Sequence, residues 1–283
     1  IMVHAAAALP LESKQSIFDT NLKGTQNALE AALHNKTKRF IQISSTAVYG
    51  VPEKFPIEET DPLTPVGPYA ETKILSEKMC EDYRKKGLTT TIIRPKTFIG
   101  TFRLGVFQIL YDWVYNGVKI PMIGSGNNRY QLLEVTDLAS AVRHFFSCPE
   151  AVANDVYNVG GTDFGTVRED LTALCAHAGT KSKPFGTPAA PTILLLRFLE
   201  SIKLSPLYKW VYGTAGKNSM VSVDKILSRT GWKPRFSNAD ALIHAYDWYL
   251  QNLNTISNAS GTTHRVPWKQ GVLSVAKKIL KLF

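Results

Sequence analysis

The chain has 283 residues, enough for one large domain or two ordinary ones. A hydrophobic fraction of 44% beside 20% charged residues supplies a core and excludes a disordered chain, and no apolar run is long enough to span a bilayer. The net charge of +10 fits an anionic partner, but its excess gathers beyond His264, in Arg265, Lys269, Lys277, Lys278 and Lys281, and the rest of the chain is too mildly basic to predict nucleic-acid binding. Cys80, Cys148 and Cys175 are widely spaced and odd in number, which gives neither a metal site nor a disulfide framework and points to a reducing, cytoplasmic compartment.

The chain opens on Ile1-Met-Val-His4-Ala-Ala-Ala-Ala8, read as a buried parallel strand with a small-residue turn. Such a turn either lets a ligand approach the backbone or packs tightly on a helix. Leu9 to Asp19 holds a loop and a helix, and Asp19-Thr-Asn21-Leu-Lys-Gly24-Thr25 leads into the amphipathic helix 26–34. A strand over 39–45 ends in Ser44-Ser45-Thr46-Ala47-Val48-Tyr49-Gly50. Hydroxyls at the carboxyl end of a parallel strand sit where open α/β sheets bind ligands, although Ser and Thr also cap helices and build turns.

A Pro-rich, acidic loop then reaches Pro68, suited to a first helical turn, and a helix running to about Lys86. On it Tyr69 and Lys73 stand at i and i+4, on one face. A neighbouring ammonium favours phenolate and so makes the pair a usable acid–base device. Alone, that spacing more often marks a solvated face. A β-branched strand follows over 89–95, ending at Arg94-Pro95.

Further on come a helix over 104–116, an irregular Gly-containing loop over 120–129, a strand over 130–135 and a helix over 138–146. A short strand over 156–161 precedes a helix over 167–178 capped by Thr166. Residues 193–204 are strongly apolar, read as buried nearly all round or docked on a surface. Shorter helices follow over 222–229 and 238–251, then a polar linker over 255–263. Residues 267–283 form a basic amphipathic helix with Val272, Val275, Ile279 and Phe283 on one face. It can lie on an anionic membrane, pack on its own domain, or fray. Strand–helix alternation to Gly161 predicts a parallel sheet with helices on both faces.

Taken together and in order, the Ala-rich strand end, Asn21-Leu-Lys-Gly24-Thr25, Ser44–Gly50, Tyr69-x-x-x-Lys73 and Arg94-Pro95 resemble the extended short-chain dehydrogenase/reductase superfamily, the NAD-dependent sugar-nucleotide epimerases and dehydratases. The resemblance covers roughly residues 1–253. It implies a Rossmann-like, doubly wound α/β sheet over 1–161, with a substrate-region insertion at about 100–130, a smaller and mostly helical substrate-binding region over 162–254, and a linker and tail over 255–283. It implies Tyr69 as general acid/base, Lys73 lowering its pKa and holding the nicotinamide ribose, Ser45 bonding the reacting oxygen, and Asn21 supporting the site. His4, Ala5, Ala6, Ser44, Pro95, Thr97 and Phe98 would join Tyr69 and Lys73 in contacting NAD or NADP. Thr46 and Arg129 would meet the substrate, a small molecule, and the Tyr69 helix would pair with its copy to build a homodimer. Peripheral membrane contact would fall to 267–283, and no metal is expected.

Three departures refine the resemblance. Dehydratases carry Asp-Glu after the catalytic Ser/Thr, where Thr46 and Ala47 stand, so dehydration is disfavoured. Asn127-Asn128-Arg129 replaces an Arg-Asp-aromatic motif and, with the apolar 193–204 stretch, also resembles the 3β-hydroxysteroid dehydrogenase branch, which acts on apolar alcohols. The family opens with a strand and a Gly-x-x-Gly-x-x-Gly turn, and this sequence holds no such motif. Two βα units of about 30 residues each would supply it, so the expectation is a chain beginning inside its fold, about 60–70 residues short on that arithmetic, with weak or no activity on its own. A non-catalytic binding protein reusing the fold is the rival from another class.

Overall fold

The computed structural model describes residues 1–10, 12–51, 53–103, 105–202, 204, 209–257 and 271–281. In chain order its elements are β1 (Met2–His4), α1 (Lys14–Phe18), a π-helical turn (Asp19–Lys23), α2 (Gly24–His34), β2 (Phe40–Ile43), a 3-10 turn (Thr46–Tyr49), α3 (Pro68–Lys85) and β3 (Thr90–Pro95). Then come β4 (Phe98–Ile99), α4 (Phe107–Tyr115), β5 (Ile120–Ile123), β6 (Leu133–Glu134), α5 (Val135–His144), α6 (Glu150–Ala153), β7 (Val156–Val159) and α7 (Val167–Ala178). The chain closes with β8 (Pro184–Thr187), α8 (Ala189–Ser201), α9 (Lys209–Thr214), α10 (Asp224–Thr230), α11 (Asn238–Gln251), α12 (Leu253–Ser257) and α13 (Leu273–Leu280).

These form two units. The first takes Ile1–Phe98, Thr136–Gly160 and Met220–Arg235. Its sheet has the order β1-β2-β3-β7, every pair parallel, with Met2 beside Phe40, Phe40 beside Thr90 and Ile92 beside Val156. β3 is buried along its whole length, as a strand covered on both faces must be, and its β-branched run suits that position. Leu29, Ala32, Phe40, Cys80, Leu88 and Ile92 close the core between the sheet and helices α2 and α3. Since all four strands run the same way, His4, the last residue of β1, and Ser44, Lys96 and Gly160, which follow the other three, lie at their carboxyl ends. The opening strand differs from expectation. It spans three residues and lies at the sheet edge, with Ile1 54% and Val3 41% exposed, because only β2 pairs with it among the described residues.

The second unit takes Ile99–Val135, Gly161–Ser219 and Phe236–Phe283. Its core joins Tyr111, Trp113 and Val114 of α4, Leu174 of α7, and Leu242, Tyr246 and Tyr249 of α11. Thr166 caps α7 in a reciprocal box with Glu169, and Ser237 caps α11 likewise with Asp240. The stretch 120–129, read as a loop, begins with a strand: β5 pairs in parallel with β8. Each strand is only four residues long, and Pro121 and Gly186 interrupt their apolar residues. The expected strand over 130–135 contracts to Leu133–Glu134. Met220–Arg235, which the sequence reading puts in the C-terminal region, returns to the first unit. There Lys225 and Arg229 pair with Asp155, and Arg235 with Asp137.

The apolar stretch 193–204 is helical to Ser201, and Leu196 is its buried residue. It is not buried all round, since Leu194, Leu195 and Phe198 are exposed. The tail helix also turns another way than its sequence suggests. Leu273, Ala276 and Leu280 meet the second unit's core, and Val275 and Ile279 stand outward. Residues 258–270 and Phe283 lie outside the described residues. No helix among the described residues is long and apolar enough to cross a membrane.

Candidate active site

Helix α3 starts abruptly. Gly67 holds φ 85°, a left-handed value that glycine adopts without strain, and Pro68 follows at the first helical position. That start places Tyr69 one turn before Lys73. Lys73 is 3% exposed, and its Nζ donates to the carbonyl of Ile43, the last residue of β2, at 2.9 Å. The same Nζ lies 5.7 Å from the Tyr69 ring centroid, while Tyr69 itself is half-buried. Burial pushes the Lys73 pKa down to about 8, against the opposing pull of the Glu77 carboxylate one turn further along. The pair is therefore set into the fold at the carboxyl end of β2, not laid on a solvated helix face.

Asn21 belongs to the π-helical turn Asp19–Lys23, a rare geometry that recurs at functional sites. Buried to 2% exposure, its Oδ1 accepts from Ala8 N at 2.8 Å and its Nδ2 donates to Thr72 Oγ1 at 2.9 Å. Thr72 in turn donates to the Tyr69 carbonyl at 2.8 Å. Asn21 thus ties the segment after β1 to the first turn of α3. A second chain runs alongside. Thr25 Oγ1 donates to Ser76 Oγ at 3.2 Å and lies 3.2 Å from His4 Nε2. With its only proton directed to Ser76, Thr25 accepts from His4 Nε2, which leaves Nδ1 as the acceptor of a neutral ring. Burial first, and the Lys73 charge second, lower the His4 pKa and favour that neutral form.

At the end of β2, Ser44 donates to Glu77 Oε1 and its own N–H bonds Ile93 O. Ser45 Oγ accepts from Ala47 N at 3.1 Å and so caps the 3-10 turn. Capping engages one lone pair of a hydroxyl that also carries a proton, so it does not compete with a donor role. Thr46 Oγ1 donates to Pro95 O at 3.3 Å. Gly50 ends the turn at φ 67°, where a Cβ would collide with the Thr64 carbonyl oxygen. Beneath these groups Arg94 pairs with Glu77 at 2.6 Å, both nearly solvent-free. Arg94 also donates to Tyr49 Oη at 2.8 Å, and Tyr49 to Asn158 Oδ1 at 2.8 Å.

Pro95 ends β3 and is buried. Lys96 next to it donates its backbone N–H to Val159 O, and burial lowers its side-chain pKa to about 7. Thr97 and Phe98 follow, half-buried, and Ala5 and Ala6 after β1 are exposed. Arg129 belongs to the second unit, where its guanidinium donates to Phe164 O at 2.8 Å and lies 5.1 Å from the Phe164 ring centroid. Sequence reasoning passed over Thr72, Ser76 and Glu77. Their signal was present: positions 69, 72, 73, 76 and 77 fall on one helical face, polar throughout in a helix that must pack against a sheet.

Residues 1–160 match the model of the NAD dependent epimerase/dehydratase family. Over 99% of this chain and 70% of the relative, the sequence is 34% identical to the uncharacterized protein y4nG of Sinorhizobium fredii. It is 27% identical to a dTDP-glucose 4,6-dehydratase of Streptomyces niveus, over 89% of this chain and 70% of that one. Among solved structures, the UDP-glucuronic acid 4-epimerase of Bacillus cereus in complex with NAD superposes with a TM-score of 0.71 at 21% identity, covering 88% of this chain and 73% of the other. A family match over more than half the sequence, on a parallel sheet that carries the expected residues at its strand ends, makes this chain a member of the NAD dependent epimerase/dehydratase family.

Proposed function

We propose that the chain carries the acid–base centre of an NAD(P)-dependent enzyme that oxidises a hydroxyl-bearing carbon of a sugar nucleotide, with epimerisation as the outcome. The observation that carries this reading is Lys73, buried at the carboxyl end of β2 with its ammonium 5.7 Å from the Tyr69 ring centroid.

The donor set fits the nicotinamide-ribose end of the cofactor. An ammonium has three N–H donors, and Lys73 gives one to Ile43 O, so a vicinal diol can take the others. The exposed Ala5 and Ala6 present small side chains beside that end of the sheet. Pro95, Thr97 and Phe98 would flank the nicotinamide, and His4 and Ser44 would line the same end. Bound there, the cofactor supplies hydride acceptance and return. Tyr69 phenolate takes the proton of the substrate hydroxyl as the carbon is oxidised, and gives it back on reduction. The Lys73 charge favours that phenolate. Ser45 donates to the reacting oxygen, and Asn21, through Thr72, holds the first turn of α3 in place. Thr46 and Arg129 are assigned to the substrate. Dehydration is disfavoured because Thr46 and Ala47 offer no carboxylate. Dimerisation is assigned to α3, whose Leu75 is 38% exposed, and a monomer in sedimentation velocity would remove that assignment.

The test is turnover of UDP- and dTDP-sugars with added NAD or NADP, comparing the protein with Tyr69→Phe. Epimerisation of the sugar without net release of reduced cofactor, slow in the chain as it stands and lost in the variant, is expected. Net release of reduced cofactor with an apolar alcohol would instead favour a steroid dehydrogenase-like reaction, and failure to bind either cofactor would leave a binding protein.

A further inference from the structure

We propose that α8 and α13 of the second unit form one interfacial surface that lies on an anionic lipid bilayer. The expected membrane contact of the tail helix is thereby extended to a second helix, with Val275 and Ile279 of the apolar face read from the sequence as the tail's contribution.

The exposed large apolar side chains concentrate here. Leu194, Leu195, Phe198, Ile202 and Leu204 are 69%, 56%, 59%, 46% and 51% exposed, and Val275 and Ile279 are 54% and 52%. At 3.6 residues per turn, 194, 195, 198 and 202 share one side of α8, opposite the buried Leu196. In α13 the docked positions are Leu273, Ala276 and Leu280, which leaves Val275 and Ile279 together on the outer side. The helices adjoin, since Val272 N donates to Leu204 O at 3.3 Å. Contiguous exposed apolar surface in a folded unit marks a contact site.

Charge selects the partner. Arg197, Lys278 and Lys281 are exposed beside these faces. The one carboxylate within the two helices, Glu200, accepts from the Tyr212 phenol, and Lys277 is paired with Asp112 at 2.6 Å. An apolar face rimmed by cations matches an interface rich in anionic headgroups. A second copy of the chain fits less well, because a two-fold interface brings the same cationic rim against itself. Insertion across the bilayer does not fit either. The 13 residues of α8 give a helix of about 20 Å, against a hydrocarbon core of about 30 Å.

The test is flotation of the protein with vesicles of phosphatidylcholine mixed with phosphatidylglycerol, and with phosphatidylcholine vesicles alone, at low and high salt. The expected result is binding to the anionic vesicles that weakens with salt. Leu195→Glu/Phe198→Glu and Lys278→Glu/Lys281→Glu should each weaken it by about tenfold or more, two surface cations alone being worth that much. Melting curves superposing on the parent would show that both variants fold. Absence of binding to anionic vesicles overturns the proposal, as does equal binding to neutral ones. So does a change of oligomeric state in Leu195→Glu/Phe198→Glu with lipid binding intact, which would make the face a self-association surface. None of these readouts depends on cofactor or turnover, so the proposal can fail while the enzymatic reading stands.

Discussion

The two units bury different chemistry. In the first, the interior beside the sheet ends is polar: Asn21, Thr25, Ser44, Thr72, Lys73, Ser76, Glu77, Arg94 and Asn158 are all buried there. In the second, the core is mostly aromatic and aliphatic, built on Tyr111, Trp113, Leu174, Tyr246 and Tyr249. The difference teaches what each interior is for. An apolar core needs approximate volume and shape, whereas a buried polar cluster is stable only when nearly every group is satisfied. The first unit holds such a cluster where the chemistry is assigned, and its members are correspondingly sensitive to substitution.

The largest effect should follow Lys73→Met. Removal of the ammonium takes away the charge that supports Tyr69, and turnover should fall by about 10²–10⁴-fold, the usual range for acid–base assistance. Stability should move the other way. The folded pKa of Lys73 is depressed to about 8 from 10.5, so between those values the unfolded chain binds more protons and the parent protein becomes more stable as pH rises. Below pH 8 the parent carries the full cost of burying the charge. Lys73→Met should therefore melt higher than the parent at neutral pH, with the gap closing as pH approaches 10. In turnover, the parent should lose activity above about pH 8 as Lys73 deprotonates. A variant that melted lower at pH 7 and kept its activity would place Lys73 among structural residues and break the contrast between the units.

Next comes the buried ion pair. Glu77→Ala leaves the Arg94 guanidinium, 5% exposed at its side chain, without its carboxylate and removes the acceptor of Ser44 Oγ. Loss of one partner of a buried pair costs about 3–5 kcal/mol, which denaturant unfolding would read directly. A loss under about 1 kcal/mol would match an exposed pair instead, and the polar cluster would not be the constraint described above.

Much of this first-unit arrangement was legible in the sequence, and for identifiable reasons. Tyr69 and Lys73 form a helical i, i+4 pair and Ser45 follows a strand end, so local spacing fixes their placement, whereas Asn21 was legible only through the family resemblance. The long-range partners were not legible. Nothing local links Arg94 to Glu77, or Asn21 to Thr72 across 51 residues; those pairings exist only once the strands have stacked. In the second unit the helices α7 and α11 were readable from Thr166 and Ser237 as caps. β5 was not, because a four-residue strand paired with one beyond α7 leaves no periodic trace. The tail helix shows a subtler limit. Its sequence offers two apolar faces, 272/275/279 and 273/276/280, and packing on the second unit's core selected the latter.

The finest test of the contrast uses two tyrosines that differ in one respect. Tyr49 and Tyr111 are 1% and 0% exposed, one in each unit. The Tyr49 hydroxyl accepts from Arg94 and donates to Asn158, and burial pushes its pKa up to about 12. The Tyr111 hydroxyl is buried with no hydrogen-bond partner among the described residues. Removal of one oxygen should therefore have opposite consequences. Tyr49→Phe leaves Arg94 and Asn158 each short of a partner in a dry site and should destabilise by about 1–3 kcal/mol. Tyr111→Phe deletes an unsatisfied polar atom while it preserves the ring that packs at 6.0 Å centroid distances against Tyr246 and Tyr249. The variant should be as stable as the parent or more so, by up to about 1 kcal/mol. Matched denaturation curves would decide it. Equal losses at both positions would mean that the Tyr111 hydroxyl is held by a group such as a bound water, and that the second core is wetter than its side chains alone imply.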